Sequence, residues 1–194
     1  MSRLDPEFEI VEYDRSWPSA FEAEAARIRG ALGSLALRVD HNGSTSVPGL
    51  AAKPIIDIQV SVAELHLIRK YEVPLRSIGY VHVVDPDDSL CPFFHKPNQW
   101  PHTHHIHVVE HGGFEERRTL AFRDYLRDHA NTAREYEKLK KDIAGRLTPR
   151  DRESREAYAQ AKTDFIERII AIALGGGFPL EFISPGEART VVDE

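Results

Sequence analysis

The clearest element that the hydrophobic pattern predicts is a β-strand over residues 55–62. Apolar and polar side chains alternate there, and an alternation with a period of two places the two sets on opposite faces of a sheet. The apolar face would carry Ile56, Ile58, Val60 and Val62. The other face would carry Asp57, Gln59 and Ser61. We therefore expect helices to cover the apolar face, while the polar face lines a cleft or meets solvent.

Weaker patterns predict the remaining elements. Further strands are expected over residues 8–13, 37–41, 80–84, 92–96 and 104–110. Helices are expected over residues 18–32, 64–77, 114–129, 132–147 and 152–174, and Pro74 is expected to kink or shorten the second of them. Because several strands follow one another in the middle of the chain, hairpin pairing and an α+β fold are favoured over a doubly wound parallel sheet.

The expected architecture is a mixed β-sheet with helices on one face and a helical segment at the C-terminal end. We expect residues 1–112 to form the α/β core, and residues 113–176 to form helices that pack on it within the same structural domain. Residues 177–194 follow two glycines and end in acidic residues, and we expect them to form a mobile tail.

Composition and charge exclude several classes of protein. The net charge of −6 argues against a general nucleic-acid binder, which needs a concentrated basic surface, but it allows one nucleotide in a local basic pocket. Cys91 is the only cysteine, so an intrachain disulfide is impossible and a reducing compartment is favoured. The polar start and the short apolar runs predict neither a signal segment nor a membrane span. We expect a cytoplasmic protein.

The strongest chemical signal is a turn of small residues shortly before the strand at 55–62. The turn consists of Gly43, Ser44, Thr45 and Ser46. Its backbone N–H groups and hydroxyls can converge on a phosphate. Lys53 follows where it can neutralise that phosphate, and Asp57 follows where a carboxylate can hold a metal ion against it. The alternative is a structural loop whose hydroxyls bond to its own backbone.

The same stretch resembles the signature of the GrpB family. The resemblance rests on Gly43 to Leu50 and Lys53 to Ile58, with further agreement at Tyr13, Trp17, His105 to Val109, Phe122 to Arg127, Tyr158 and Lys162. It covers about residues 11–173. The resemblance implies a nucleotidyltransferase-like fold, in which a Gly-Ser turn holds a nucleoside triphosphate and carboxylates on neighbouring strands hold two metal ions. Some members of this family occur fused to dephospho-CoA kinases.

One position departs from the pattern of an active nucleotidyltransferase. A second carboxylate is expected two residues after Asp57, on the same face of the strand, but that residue is Gln59. A neutral amide is a poor partner for a hard dication, which argues against a two-metal site as in polymerases. Asp40 and Glu110 could contribute the second carboxylate, but strand alternation places Glu110 on the face opposite His105.

A group of histidines is the second candidate for chemistry. Its members are His102, His104, His105 and His107. His105 and His107 are two residues apart on a predicted strand, so they share a face and lie roughly 7 Å apart. Together with Asp57 they are candidate ligands of Mg²⁺ or, alternatively, of Zn²⁺ or Mn²⁺. Neutral histidines could instead act as a general base or bind phosphate, and an exposed sheet face with local hydrogen bonds is the plainer alternative.

Basic residues outside the turn are further candidates for phosphate binding. Arg118 and Arg123 on the first late helix, and Lys162 on the last, could close over the same cleft as Lys53. For each of them the alternative is a solvated helix face with an intrahelical ion pair.

These observations predict a metal-dependent nucleotidyltransferase that binds a nucleoside triphosphate and transfers to an unknown small-molecule or protein acceptor. Asp57 would hold Mg²⁺, Lys53 would stabilise the developing charge, and His107 or His105 would serve as ligand or base. The first alternative is a non-catalytic nucleotide-binding or accessory module linked to coenzyme A metabolism. The second is a phosphoester hydrolase that uses a single Zn²⁺ or Mn²⁺ bound by His and Asp.

Overall fold

The computed structural model describes residues 9–84, 89–146 and 157–179 of the chain. Within these ranges, the strands form one mixed sheet. They are β1 (Arg38–Asn42), β2 (Ile56–Val62), β3 (Val81–Val83), β4 (Phe93–Lys96) and β5 (His104–Glu110). Their order across the sheet is β1-β2-β5-β4-β3; β2 and β5 run parallel, and the other neighbouring pairs run antiparallel. The predicted α+β class with a mixed sheet is confirmed.

The segment predicted as a strand at 8–13 does not join this sheet. In its described part, Val11 forms an isolated antiparallel bridge with Ala52, with a hydrogen bond of 2.9 Å in each direction. Two residues later, Tyr13 packs edge-on against Trp17, with the ring centroids 5.3 Å apart. The chain therefore turns into the first helix before a longer ladder of hydrogen bonds can form.

Two helices cover the apolar face of the sheet, α1 (Trp17–Leu32) and α2 (Ile68–Ser77). Several strand residues of this core are inaccessible to solvent, among them Ile58, Val60, Ile106 and Val108. On α1, buried side chains recur every three or four residues, as the helical pattern predicted. Because alternate residues of a strand point to opposite faces, this core turns the polar residues of β2 and β5 to the other side of the sheet.

The second helix begins later than the pattern at 64–77 predicted. Leu67 has non-helical backbone angles, and its N–H donates to the Glu64 carbonyl across a turn. The Tyr71 hydroxyl donates to the Leu65 carbonyl at 2.7 Å, so the turn is fixed by a side chain of the helix that follows. Pro74 lies inside α2, and the helix continues past it to Ser77.

The helices that follow the sheet in sequence are α3 (Phe114–Asp128), α4 (Ala130–Arg146) and α5 (Thr163–Gly175). Hydrogen bonds tie α3 and α4 to the β1–β2 side of the molecule. The Thr119 hydroxyl donates to the Gln59 side chain, and the Lys140 ammonium donates to the Ala51 carbonyl. These helices thus approach the polar face of the sheet, opposite α1 and α2.

The last predicted helix, 152–174, is divided in the structure. Residues 157–160 are helical, a turn follows, and α5 begins at Thr163. The first five residues of that prediction, and residues 180–194 of the predicted mobile tail, lie outside the described residues. In the part of the chain that is described, no helix has the length and apolar character needed to cross a membrane.

Candidate functional site

Two rows of side chains cross the polar face of the sheet. Strand register pairs the residues of the first row, Asp57, His105 and His95, and those of the second, Gln59, His107 and Phe93. In each row the residues come from β2, β5 and β4 in that order. Paired residues on neighbouring strands point to the same face, so these side chains form one surface opposite the core. The candidates Asp57, His105 and His107 therefore share a face, as alternation predicted.

The turn that leads out of β1 lies directly against Asp57. Gly43 has φ +64°, and a Cβ at this position would lie 2.2 Å from Asp57 Oδ2. Only glycine combines this backbone conformation with so close an approach. The carboxylate of Asp57 is thus fixed beside the predicted phosphate-binding turn.

The hydroxyls of this turn have different partners. Ser46 Oγ donates to the Gly43 carbonyl at 2.6 Å, and Thr45 Oγ1 shares a hydrogen bond of 3.0 Å with His41 Nε2. The Ser44 side chain forms a hydrogen bond with Tyr136. Ser46 thus stabilises the turn itself, as expected for a structural loop whose hydroxyls bond to its own backbone. Ser44 and Thr45 also line a cavity.

This cavity has a volume of about 780 Å³, and side chains of the sheet and of the C-terminal helical region line it. Its basic residues are Lys53, Lys140 and Lys162. Among the described residues that line the cavity, Asp57 is the one carboxylate. Positive charge is therefore concentrated in the cavity of a chain whose net charge is −6.

Burial changes the proton affinity of two of these lysines. Lys140 is 2 % exposed, and burial, reinforced by the charge of Lys162, lowers the pKa of its ammonium to about 7. Burial also lowers the pKa of Lys162 to about 8, although the charge of Asp57 opposes this shift. Lys140 Nζ donates to the Ala51 carbonyl at 2.5 Å. An anion in the cavity would favour the charged form of both lysines.

Tyr158 brings two of the predicted phosphate ligands together. Its ring centroid lies 4.1 Å from Lys53 Nζ and 4.3 Å from Lys162 Nζ, within the range of cation–π contacts. Burial raises the pKa of the Tyr158 hydroxyl well above its usual range. The structure therefore places Lys53 and Lys162 on one aromatic ring, in the cavity that Ser44 and Thr45 also line.

Asp57 is kept in its ionised form by its neighbours. Burial by itself would raise the pKa of this carboxyl, but the hydrogen bond from His105 and the nearby charges of His105, His107 and Lys162 hold it below its ordinary value. His105 Nδ1 lies 3.3 Å from Asp57 Oδ1, and His105 Nε2 lies 3.2 Å from His102 Nδ1. Because an ionised carboxylate can only accept, Nδ1 of His105 carries the hydrogen.

The structure does not bring the predicted ligands Asp57, His105 and His107 into a three-ligand metal centre. Among the described residues, no group of three or more His, Cys, Asp or Glu side chains is arranged to hold a metal ion. Both ring nitrogens of His105 face Asp57 and His102, and Nδ1 of His107 lies 3.7 Å from Cys91 Sγ. A zinc site requires ligand atoms that converge on one ion. These ring nitrogens instead face neighbouring side chains, so they do not converge.

Gln59 occupies the position where a second metal-binding carboxylate was expected, and its side chain bonds to the protein. The side chain is completely buried, and its oxygen accepts hydrogen bonds from Thr119 on α3 and Asn42 on β1. Asp40, another acid considered from the sequence, forms an ion pair of 2.9 Å with Arg38. The described cavity lining therefore lacks the second carboxylate that a polymerase-like pair of metal ions requires.

The arginines predicted to bind phosphate do not line the cavity. Arg123 is 7 % exposed, and it donates to the His41 carbonyl at 3.2 Å and to the Asp124 carboxylate at 2.6 Å. Arg118 forms ion pairs within α3 and with Glu167 on α5. The structure thus does not bring Arg118 or Arg123 to the lysines of the cavity.

Comparison with known proteins identifies the family. The family model described as GrpB protein matches residues 7–171. The chain belongs to the GrpB family. The resemblance carried by the small-residue turn and by the histidine strand is thereby confirmed.

Relatives of this GrpB-family chain include several bacterial proteins, one of which is a longer kinase. A UPF0157 protein of Pseudomonas aeruginosa is 39% identical over 173 residues, which cover 88% of this chain and 69% of that protein. The crystal structure of GrpB from Enterococcus faecalis matches with a TM-score of 0.77 at 35% identity, over 88% of this chain and 99% of that chain. A dephospho-CoA kinase of Mycobacterium bovis is 29% identical over 157 residues, which cover 69% of this chain and 39% of the kinase.

Several residues that line the cavity of this GrpB-family chain are not predicted from its sequence. Lys140 belongs to a densely charged helix and is not among the predicted phosphate ligands. It nevertheless lies four residues after Tyr136 and three before Ile143, on the buried stripe of α4, and that spacing was the available signal. His95 and Trp100 reach the cavity through the pairing of β4 with β5 and through the loop between them, which no local pattern predicts.

Proposed function

We propose that this chain binds a phosphate-bearing small molecule in the cavity, and a nucleoside triphosphate is the ligand that the family resemblance implies. The observation that carries the proposal is the charge of the cavity, because the described part of its lining contains three lysines and one carboxylate. Two of these lysines have pKa values lowered to about 7 and about 8. Phosphate oxygens would favour their charged form, so the ligand and the lysines would stabilise each other.

Each lysine has a distinct part in the proposal. Lys53 and Lys162, which share the ring of Tyr158, contact the phosphate as point charges. Lys140 adds charge from α4, and the hydroxyl of Ser44 adds a hydrogen bond from the edge of the turn. Arg118 and Arg123 take no part, because carboxylates and a backbone carbonyl already engage them.

Mg²⁺ enters the proposal together with the nucleotide. Mg²⁺ is usually held by one or two carboxylates and by substrate phosphates, and Asp57 is a suitable carboxylate because its pKa is kept low. When bound there, the ion would neutralise phosphate charge and orient the phosphate. A resident Zn²⁺ or Mn²⁺ would need three protein ligands, which the described residues do not supply. The hydrolase alternative therefore has no support from the geometry.

Isothermal titration calorimetry tests the binding. Tripolyphosphate, ATP, GTP, CTP and UTP are each titrated into the full chain, with and without Mg²⁺. We expect tripolyphosphate and at least one nucleotide to bind, and Lys162→Ala to weaken this binding by about tenfold or more. Arg118→Ala is the matched control and should bind as the wild type does. If none of the five ligands binds to folded protein, the proposal fails.

Nucleotidyl transfer to a small-molecule or protein acceptor is the second candidate, favoured by the position of Asp57 against the turn at Gly43. A carboxylate there would lie beside any phosphate that the turn holds. Burial lowers the pKa of His107, so this imidazole would be neutral and able to accept the proton of the attacking group. Incubation with each nucleoside triphosphate and candidate acceptors, followed by mass spectrometry, should detect the nucleoside monophosphate bonded to the acceptor and the released pyrophosphate. Asp57→Asn should abolish both products.

A non-catalytic role linked to coenzyme A metabolism is the alternative to transfer. It is supported by Gln59 in place of a second carboxylate and by the partial match to a dephospho-CoA kinase. Dephospho-CoA and coenzyme A therefore belong among the titrated ligands. Tight binding that Asp57→Asn leaves unchanged, without turnover of any nucleotide, would favour this role over transfer.

A further inference from the structure

The part of the cavity beside β4 is lined by aromatic rings. Phe93 and His95 come from β4, and Trp100 and His102 come from the loop between β4 and β5. We call these four residues the aromatic wall. The lysines and Ser44 account for phosphate binding in the proposal above, and the aromatic wall has no part in it.

The rings of the aromatic wall pack against one another and against β5. His95 and His102 stack with their centroids 3.8 Å apart and their planes 9° apart, and Trp100 lies 4.6 Å from His102. The ring of Phe93 meets that of His105 edge-on at 4.9 Å. Mutual packing of this kind holds the rings in place before a ligand arrives, which lowers the entropic cost of binding.

Hydrogen bonds also fix the wall relative to the charged part of the cavity. His102 bonds to His105 at 3.2 Å, and His105 lies 3.3 Å from the carboxylate of Asp57. On the other side of the stack, His95 Nδ1 donates to the Pro97 carbonyl at 3.0 Å. The orientation of the aromatic wall is therefore coupled to the position of Asp57.

Two strand spacings separate Asp57 from the wall. Asp57, His105 and His95 form one row across β2, β5 and β4. Neighbouring strands lie about 4.8 Å apart, which gives roughly 10 Å between the first and the last residue of the row. A ligand that fills the whole cavity must therefore carry a phosphate at one end and a group suited to aromatic contact at the other, with a linker between them.

We propose that the aromatic wall binds the heteroaromatic ring of the ligand, with Trp100 as the main stacking residue. The substrate class is then the nucleoside phosphates, and phosphorylated compounds without such a ring bind less tightly. This inference rests on the proposed function, because the phosphate must bind at the lysines for the ring to reach the wall. Stacking accepts any base, since every base has a π-face. The wall therefore selects for a ring and not for one particular base.

Parallel titrations of tripolyphosphate and the four nucleoside triphosphates test the wall separately from the lysines. We expect the nucleotides to bind about tenfold or more tightly than tripolyphosphate, and Trp100→Leu to remove that advantage. The affinity of Trp100→Leu for tripolyphosphate should match that of the wild type, which also shows that the variant is folded. Phe114→Leu is the matched control: Phe114 is 66 % exposed and outside the cavity lining, so its loss should change neither affinity.

Tryptophan fluorescence gives an independent readout. The chain has two tryptophans, and Trp17 is buried in the core on the other face of the sheet. Nucleotides should quench the emission of Trp100, and tripolyphosphate should not. Nucleotide binding that is no tighter than tripolyphosphate binding, or that Trp100→Leu leaves unchanged, overturns the ring site but not the phosphate site. Failure of all five ligands to bind overturns both.

Discussion

Two groups of cationic side chains lie around the C-terminal helices, and they differ in what faces them. Burial alone would lower the pKa of Arg118, but its bonds to Glu115 and Glu167 raise it. In the cavity, by contrast, burial lowers the pKa values of Lys140 and Lys162 to about 7 and about 8. The arginines form ion pairs with acids of the protein, whereas three lysines and one carboxylate line the described part of the cavity.

This difference separates cations that stabilise the fold from cations that we propose to bind the ligand. Arg123 is 7 % exposed, and it meets the Asp124 carboxylate at 2.6 Å and the His41 carbonyl at 3.2 Å. A buried cation that is matched in this way stabilises the fold only while its partners remain. A cation that is held at a lowered pKa destabilises the fold and gains from an anion that enters later. Replacement of a buried cation by methionine should therefore lower the free energy of unfolding in the first group and raise it in the second.

The largest effect is expected from Arg123→Met. The substitution removes the donor of the His41 carbonyl and leaves the Asp124 carboxylate with only its longer ion pair to Arg127, at 3.4 Å. This loss should lower the free energy of unfolding by about 3–5 kcal/mol. Urea denaturation at neutral pH measures this change. A loss of less than about 1 kcal/mol would mean that Arg123 is not part of the structural group.

A smaller effect, on binding, is expected from Lys53→Ala. The loss of one charged hydrogen bond to phosphate should cost about 1.5–3 kcal/mol of binding free energy, which corresponds to a roughly ten- to hundredfold weaker affinity for tripolyphosphate. Calorimetric titration measures it, with the free energy of unfolding as the control for folding. Unchanged affinity would remove Lys53 from the phosphate site.

Lys140→Met should stabilise the fold below neutral pH. The substitution replaces a buried ammonium by an apolar chain of similar length, and we expect the free energy of unfolding at about pH 6 to rise by about 1–2 kcal/mol. The lost bond to the Ala51 carbonyl keeps this gain small. Urea denaturation of the variant and of the wild type, under identical conditions, provides the comparison. Destabilisation would show that Lys140 belongs with the structural cations.

The pH dependence of stability tests the same destabilisation by the buried ammonium of Lys140. The pKa of Lys140 is about 7 in the folded chain and near the ordinary 10.5 in the unfolded chain. Between these values the unfolded chain binds more protons, so wild-type stability should rise with pH from about 7 upwards. Lys140→Met should reduce this rise, and Lys162 should account for part of the rise that remains. A wild-type stability that is flat over this range would contradict the lowered pKa values.

The smallest effect is expected from Arg118→Ala. The side chain is 21% exposed, and ion pairs near the surface contribute about 0–1 kcal/mol. We expect the free energy of unfolding to fall by less than about 1 kcal/mol, and the affinity for tripolyphosphate to stay the same. A clear loss of affinity would return Arg118 to the set of phosphate ligands that the sequence suggested.

The sequence predicts the central strands and their faces well, because burial imposes a period of two on each strand. Ile58 in β2 and Ile106 in β5 point into the core. The residues on either side of each of them point to the polar face. Which strands become neighbours is a different matter. The parallel pairing of Asp57 with His105 joins strands that are separated by β3 and β4 in sequence, and only the tertiary fold determines it.

The candidate site is predictable only where its residues are close in sequence. The turn at Gly43, with Lys53 and Asp57 soon after it, forms one local pattern and was found. A charged residue on a helix gives no comparable information, because the same letters suit a solvated face and a cavity wall. The pattern therefore predicts phosphate binding by Arg123, which instead bonds to the protein, and it does not single out Lys140, which lines the cavity.

The affinity for tripolyphosphate between about pH 6 and about pH 9 tests the central claim most directly. Lys140 and Lys162 lose their protons in this range in the free protein, whereas the ligand only becomes more negative, which by itself would strengthen binding. If the lysines bind the phosphate, the affinity should fall by about tenfold or more as the pH rises. Affinity that stays constant or increases over this range, or no binding at pH 6, would contradict the account.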